Sequence, residues 1–354
     1  MCSARLLSYQ VHDVLGITSR QFRDPSTGDV PVKISWKSTD PGIKMALVIS
    51  ALVIAATAGC RAEVPFFLGN DQFLVRVATT CDEQLAKFGP RFDSSARVDS
   101  IRADGQEFLA QEGLIDEFNQ RWVPPPGYND ATSAGNVFMK IGVGLLRRTR
   151  ITPYRFADTY PIEARATTKL IFRNQMLAIF EQSLPLTDGW GYRYRKSYAV
   201  DTRTRRITIT YELESLSFKE IEIDQYNHNW LQLAAASKKT PWILRTPLSV
   251  GPASILHCQA SPDELVFQEV PEEPAYFTHA QDGRLPKSRT LVSDGSKYIS
   301  IACDFPASRL SIFTQNNLLA PEIFACFRIR PNHTAIWRRC YEFKTTPPLP
   351  HSNR

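Results

Sequence analysis

Several features are missing from this 354-residue chain, and each absence removes a class of function. No run of Lys and Arg is long enough to track a phosphate backbone. Arg203, Arg205 and Arg206 fall in one turn, and the net charge of +6 is a mild, scattered excess. Nucleic acid is therefore not an expected partner. The seven cysteines include no Cys-x-x-Cys pair, and the six histidines stand at 12, 228, 257, 279, 333 and 351. Metal-ligand spacing is absent, so no metal site is expected. No internal repeat is evident, and no stretch beyond about ten residues has helical periodicity. No apolar run reaches the roughly 20 residues that a membrane-spanning helix needs.

What is present points to β structure. Twenty-four prolines suit a loop-rich β protein, because proline is excluded from helix interiors and central strands. Hydrophobic content of 43% and charged content of 22% are those of a globular protein able to bury a large core. Alternation of apolar and polar residues predicts strands over Asp71–Ala78, Arg91–Ile101, Trp190–Val200, Arg206–Glu214 and Phe218–Ile223. The same pattern recurs over Ser254–Cys258, Glu264–Gln268, Tyr298–Asp304, Leu310–Thr314, Phe324–Ile329 and Ala335–Phe343. Val137–Leu146 reads as a glycine-containing strand, and Asp201–Thr204 as a hairpin turn. The expected fold is all-β, a large antiparallel β-sandwich or a barrel.

The N-terminal part differs in kind. Residues 1–44 lack sustained periodicity, and Met45–Ala58 is a continuous apolar run with Lys44 ahead of it. This fits the apolar region of an export signal over 45–62, with either cleavage near Ala58 or Ala62 or lipidation at Cys60. A buried core strand is the competing reading. Export to the periplasm, the cell surface or the medium is the expectation, with a cytoplasmic protein if the run is not a signal. Met45 or a nearby codon is a candidate start. Residues 63–344 then form one β-sandwich domain, and 345–354 a Pro-rich disordered tail. Cys81, Cys258, Cys303, Cys326 and Cys340 leave room for one or two disulfides in an exported protein.

Chemistry concentrates in Ile209–Leu233, where two strands are joined by a polar turn and the second ends on Tyr226-Asn227-His228-Asn229-Trp230. This Asn-His-x-aromatic ending, with Ala320-Pro321-Glu322-Ile323-Phe324 and Arg330-Pro331-Asn332-His333 near the C-terminus, resembles the galactose mutarotase superfamily of aldose 1-epimerases. The resemblance spans roughly 73–344 and implies a supersandwich fold. It also implies a cofactor-free isomerase acting on a small-molecule sugar, with His228 protonating the ring oxygen and Glu322 taking the C1 hydroxyl proton. An imidazole and a carboxylate suffice for that exchange, since both move protons near neutral pH. Asn227, Asn229, Arg91 and Lys140 are candidate substrate-binding residues. Trp122 joins them from a loop predicted over Gln111–Asn136, whose prolines and aromatics suit either a sugar-site wall or a cover for a sheet edge.

The chain departs from the family in one respect. Family members carry a further histidine in a His-Gly-type segment ahead of the Asn-His motif, whereas no histidine lies between His12 and His228 here. A non-catalytic carbohydrate-binding protein on the same fold is therefore the alternative. A third reading, a lyase or hydrolase, would use Tyr192, Arg193 and Tyr194 on an alternating strand.

Overall fold

The computed structural model describes residues 65–345 apart from 79–86, 121, 131–134, 235–240, 248–257, 271 and 286–287, with the backbone alone at 111 and 279–285. The expectations for residues 1–62, including lipidation at Cys60, and for the 346–354 tail lie outside the described residues.

Twenty-two strands follow one another in the described residues. The first eight are β1 (Phe66–Asn70), β2 (Phe73–Ala78), β3 (Arg97–Ala103), β4 (Gln106–Glu107), β5 (Leu109–Phe118), β6 (Val137–Lys140), β7 (Gly144–Arg147) and β8 (Ile162–Arg165). Then come β9 (Thr167–Arg173), β10 (Leu177–Thr187), β11 (Trp190–Asp201), β12 (Arg206–Ser215), β13 (Ile221–Gln232), β14 (Trp242–Arg245) and β15 (Gln259–Ser261). The last are β16 (Glu264–Phe267), β17 (Ala275–Leu285), β18 (Ser288–Ser293), β19 (Lys297–Cys303), β20 (Ala307–Gln315), β21 (Leu318–Ile329) and β22 (Thr334–Thr345).

Two large sheets result. A nine-stranded sheet runs β1-β2-β3-β5-β13-β21-β20-β17, with β4 beside β3. A ten-stranded sheet runs β15-β16-β14-β18-β19-β22-β12-β11-β10-β9, and β6-β7-β8 form a third, small sheet. The expected all-β class and antiparallel sandwich hold. Aromatic contacts join the two large sheets: Phe66 stacks on Phe180, Phe108 meets Phe343 edge-on, and Phe118 meets both Tyr194 and Trp337. Each such ring withdrawn from water contributes on the order of 1.5–3 kcal/mol.

The two sheets differ in how they meet water. Along β12 every second residue is buried, the pattern of a strand with one wet face. Along β13 and β21 burial is nearly continuous, so the outer face of the nine-stranded sheet is covered as well. Part of that cover comes from the segment 91–96, for which the sequence predicts a strand. Instead its backbone donors reach two separate places: Asp93 N–H donates to Asp116 O and Ser94 N–H to Gly142 O. The Asp93 carboxylate turns inward to accept from Ser95 N and Lys196 Nζ.

Other boundaries move for local reasons. The Gln111–Asn136 loop is shorter than expected because β5 continues to Phe118. Val137–Leu146 is a hairpin rather than one strand; Gly142 and Gly144 have φ of 85° and 143° and make its turn. His228 lies inside β13 rather than at its end, and Glu322 lies inside β21 rather than in a loop before it. No disulfide joins any two of the described cysteines Cys258, Cys303, Cys326 and Cys340.

Candidate functional site

The site follows from strand register. Between β13 and β21, Gln225 pairs with Ala325 and Leu231 with Leu319. Counting inward from either end brings His228 directly opposite Glu322. Ladder pairing lapses between these points, where Pro321 has no N–H to give. On the other side of β13, Tyr226 pairs with Glu117 and His228 with Ile115 of β5. On the other side of β21, Glu322 pairs with Ser311 and Phe324 with Arg309 of β20. Residues opposite one another share a face, and neighbours two apart do too. The outer face therefore carries one row of Glu117, Tyr226, Phe324 and Arg309, and beside it a row of His228, Glu322 and Ser311. Trp230, Phe313 and Tyr276 line the next row.

At the centre, His228 Nε2 and Glu322 Oε1 lie 3.1 Å apart. Both side chains are almost inaccessible, His228 at 5% and Glu322 at 1%. Tyr276 O–H donates to Glu322 Oε2 at 3.3 Å. The imidazole stacks on the Trp230 indole with centroids 4.2 Å apart and planes 6° from parallel, while Phe313 and Phe92 meet it edge-on. Glu117 accepts from Arg91 Nε at 3.0 Å and closely from Tyr226 O–H. Arg309 pairs closely with Asp224 and lies over Phe324, 4.0 Å from the ring centroid.

Burial sets the protonation of the pair. Burial first, and the Arg91 guanidinium second, hold His228 well below its ordinary 6.5. Burial, then the Glu117 carboxylate, push Glu322 well above 4.5, against the pull of Arg91. Both effects favour the neutral forms of the imidazole and the carboxyl over a fixed ion pair. Among the described residues, several polar atoms on this face have no hydrogen-bond partner: His228 Nδ1, Trp230 Nε1, Glu117 Oε1 and Arg309 Nε. Unsatisfied buried polar atoms are uncommon in folded proteins and mark places where a ligand or water completes the bonding.

The expected site residues divide. His228 and Glu322 are brought together, and Arg91 joins them through Glu117. Trp122 is 54% exposed and lies beside Arg309, whose guanidinium is 5.5 Å from its ring centroid. Asn227 and Asn229 are on the wrong face for a role beside His228, because side chains alternate along a strand. Asn227 Nδ2 donates to Asp116, and Asn229 donates to Pro321 O and accepts from Tyr341 O–H of the ten-stranded sheet. Lys140 reaches the site only through Glu117, whose Oε1 is 3.9 Å from its ammonium; that ammonium donates to Phe118 O, to Asn119 O at 3.0 Å and to Tyr154 Oη at 3.2 Å. Burial lowers its pKa to about 8, with Glu117 acting in the opposite sense. Tyr192 and Tyr194 are buried within the sandwich, and Arg193 pairs with Glu214 on an exposed face, so this trio does not converge on the site.

Sequence reasoning missed Glu117, Tyr226, Tyr276 and Arg309. Tyr226 was legible, since two residues before His228 on a strand means the same face. The other three are brought in by strand pairing, which one sequence does not display.

No family model matches the sequence, and no curated protein matches it. Solved structures do. A putative aldose 1-epimerase from Escherichia coli K12 superposes with a TM-score of 0.54 at 9% identity, covering 80% of this chain and 99% of that one. A protein from Synechocystis sp. PCC 6803 superposes at 0.50 and 11% identity, covering 83% of this chain and all of the other. The chain has the galactose mutarotase-like fold, in a strongly divergent sequence.

Proposed function

We propose that the protein interconverts the anomers of an aldose by acid/base ring opening at His228 and Glu322. The observation that carries this reading is the direct contact of an imidazole and a carboxyl group on the covered outer face. One partner takes the C1 hydroxyl proton while the other protonates the ring oxygen. The C1–O5 bond breaks to give the open-chain aldehyde, which rotates and recloses on its other face with the two proton transfers reversed. The family resemblance assigns Glu322 as base and His228 as acid. Burial favours the proton on Glu322 at rest, so that assignment requires it to pass to Nε2 as sugar hydroxyls enter. The stacked Trp230 ring favours the imidazolium so formed. Arg91, held by Glu117, and Trp122 beside Arg309 are the candidate substrate contacts.

A non-catalytic carbohydrate-binding protein is the second reading. It is favoured by the near-complete burial of the pair, which a pyranose must part before reacting. Polarimetry of freshly dissolved α-anomers, across aldoses and uronic acids, separates the two. Accelerated mutarotation with one sugar supports the enzyme. Saturable binding without acceleration supports the binding protein, and neither result would refute both. Export by the Met45–Ala58 run belongs to this proposal; N-terminal sequencing of the native protein that found residues 1–44 intact would contradict it. Among the described residues, no helix is long and apolar enough to cross a membrane.

A further inference from the structure

A cavity of about 510 Å³ lies apart from the His228–Glu322 pair and shares no lining residue with it. It sits where three turns meet. The β10–β11 turn contributes Asp188 and Gly189, both at positive φ of 53° and 82°, followed by Trp190. The β12–β13 turn contributes Phe218 and Lys219, held in place by Phe218 N–H donating to Gly189 O at 3.0 Å. The segment after Pro126 contributes Gly127 and Asp130. Gly127 lies so close to the Trp190 indole that an added Cβ would come within 2.8 Å of two ring carbons. The Gly127 backbone thus packs directly against the Trp190 indole.

Two features of this cavity call for a ligand. Phe218 is 73% exposed although it stands at the rim of a concavity, forgoing about 2 kcal/mol of burial. The charges beside it are mixed: Lys219 Nζ meets Asp130 Oδ2 at 2.9 Å, and Asp188 adds a second carboxylate. A purely apolar ligand would desolvate this ion pair and the Asp188 carboxylate without adding a hydrogen bond, and a strongly charged one would meet both signs. A neutral ring with flat C–H faces and a periphery of hydroxyls satisfies both, stacking on Phe218 while its hydroxyls reach the carboxylates and ammonium. The volume falls in the range of small-ligand sites, about 300–1,000 Å³.

We infer that this cavity is a second, non-catalytic binding site for a neutral pyranose unit, independent of the reaction proposed at His228 and Glu322. The test uses methyl α- and β-glucosides, methyl galactosides, maltotriose, cellotriose and chitotriose as probes, with saturation-transfer NMR and calorimetry on the full chain. Methyl glycosides have a blocked anomeric carbon and cannot react at the first site. At least one probe is expected to bind saturably. Phe218→Ala should weaken it about tenfold, a loss of about 1.4 kcal/mol, and Lys219→Ala should weaken it to a smaller degree. Both side chains are exposed, so neither change threatens the fold. Binding should persist in His228→Ala/Glu322→Gln. Absence of saturable binding by every probe, or binding abolished by the double variant and untouched by Phe218→Ala, would overturn the inference. Failure of the sugar to mutarotate anywhere leaves this site unaffected.

Discussion

Two buried carboxylates on the nine-stranded sheet, one on each face, show how differently one sheet uses the same chemical group. Asp116 faces the ten-stranded sheet. Its Oδ1 accepts from Tyr211 O–H at 2.8 Å, Gln225 Nε2 at 2.7 Å and Asn227 Nδ2 at 3.0 Å, and its Oδ2 from Lys196 Nζ at 3.1 Å. Lys196 in turn binds Asp93 Oδ2 and Ala96 O. Glu322 faces outward and has a long bond from Tyr276 and a neutral imidazole. The inner carboxylate is saturated by donors, which makes it a cross-sheet tie. The outer one lacks such support, so burial holds on to its proton and keeps it available for transfer. A charge that is fully compensated is structural; one left short of donors is poised to react.

The comparison is broken most severely from the inside. Asp116→Ala removes one of the two carboxylates that face the buried Lys196 ammonium and leaves the Tyr211, Gln225 and Asn227 donors without their acceptor. It should cost about 3–5 kcal/mol in urea unfolding, and an unchanged midpoint would refute the cross-sheet role. On the outer face the same operation should spare stability and strike activity. His228→Ala is expected to slow anomer exchange by about 10²–10⁴-fold while leaving far-UV circular dichroism intact.

Glu322→Gln sharpens the contrast through pH. The folded pKa of Glu322 is raised, so its contribution to stability is complete below pH 4.5 and is lost as pH rises toward that raised value. The folded pKa of His228 is depressed, so its contribution is present above pH 6.5 and is lost only as pH falls below it. As pH rises from 4.5 toward the raised Glu322 value the wild type should lose stability relative to Glu322→Gln. Melting temperatures of the wild type and Glu322→Gln that stay parallel from pH 4.5 upward would show that burial does not raise this carboxyl.

Smaller effects come from residues that the motif alone places wrongly. Asn229→Ala leaves Tyr341 O–H and Pro321 O without their partner and should cost about 1–3 kcal/mol. Its effect on KM should be slight; a large rise in KM without loss of stability would return Asn229 to the sugar. Arg193→Ala, which removes an exposed pair with Glu214, should change stability by no more than about 1 kcal/mol.

These residues also mark how far the sequence could be read. The all-β class, the hairpin of β11 and β12, and the His228–Glu322 pair were legible, because alternation and turn residues act locally and the motif supplied the two positions. Asn227 and Asn229 looked like sugar ligands because they flank His228. Strand alternation assigns them to the other face, which follows once His228 lies within a strand rather than at its end. The segment 91–96 alternated like a strand, yet its hydrogen bonds go to two distant elements. Glu117, Tyr276 and Arg309 depend on which strands are neighbours, a property of the whole sheet.

The most direct measurement is NMR saturation exchange between α and β anomers, comparing wild type with His228→Ala and Glu322→Gln under identical conditions. The account predicts exchange accelerated for at least one aldose by the wild type and lost in both variants. Acceleration that survives in either variant, with the fold intact, would contradict an acid/base mechanism at this pair.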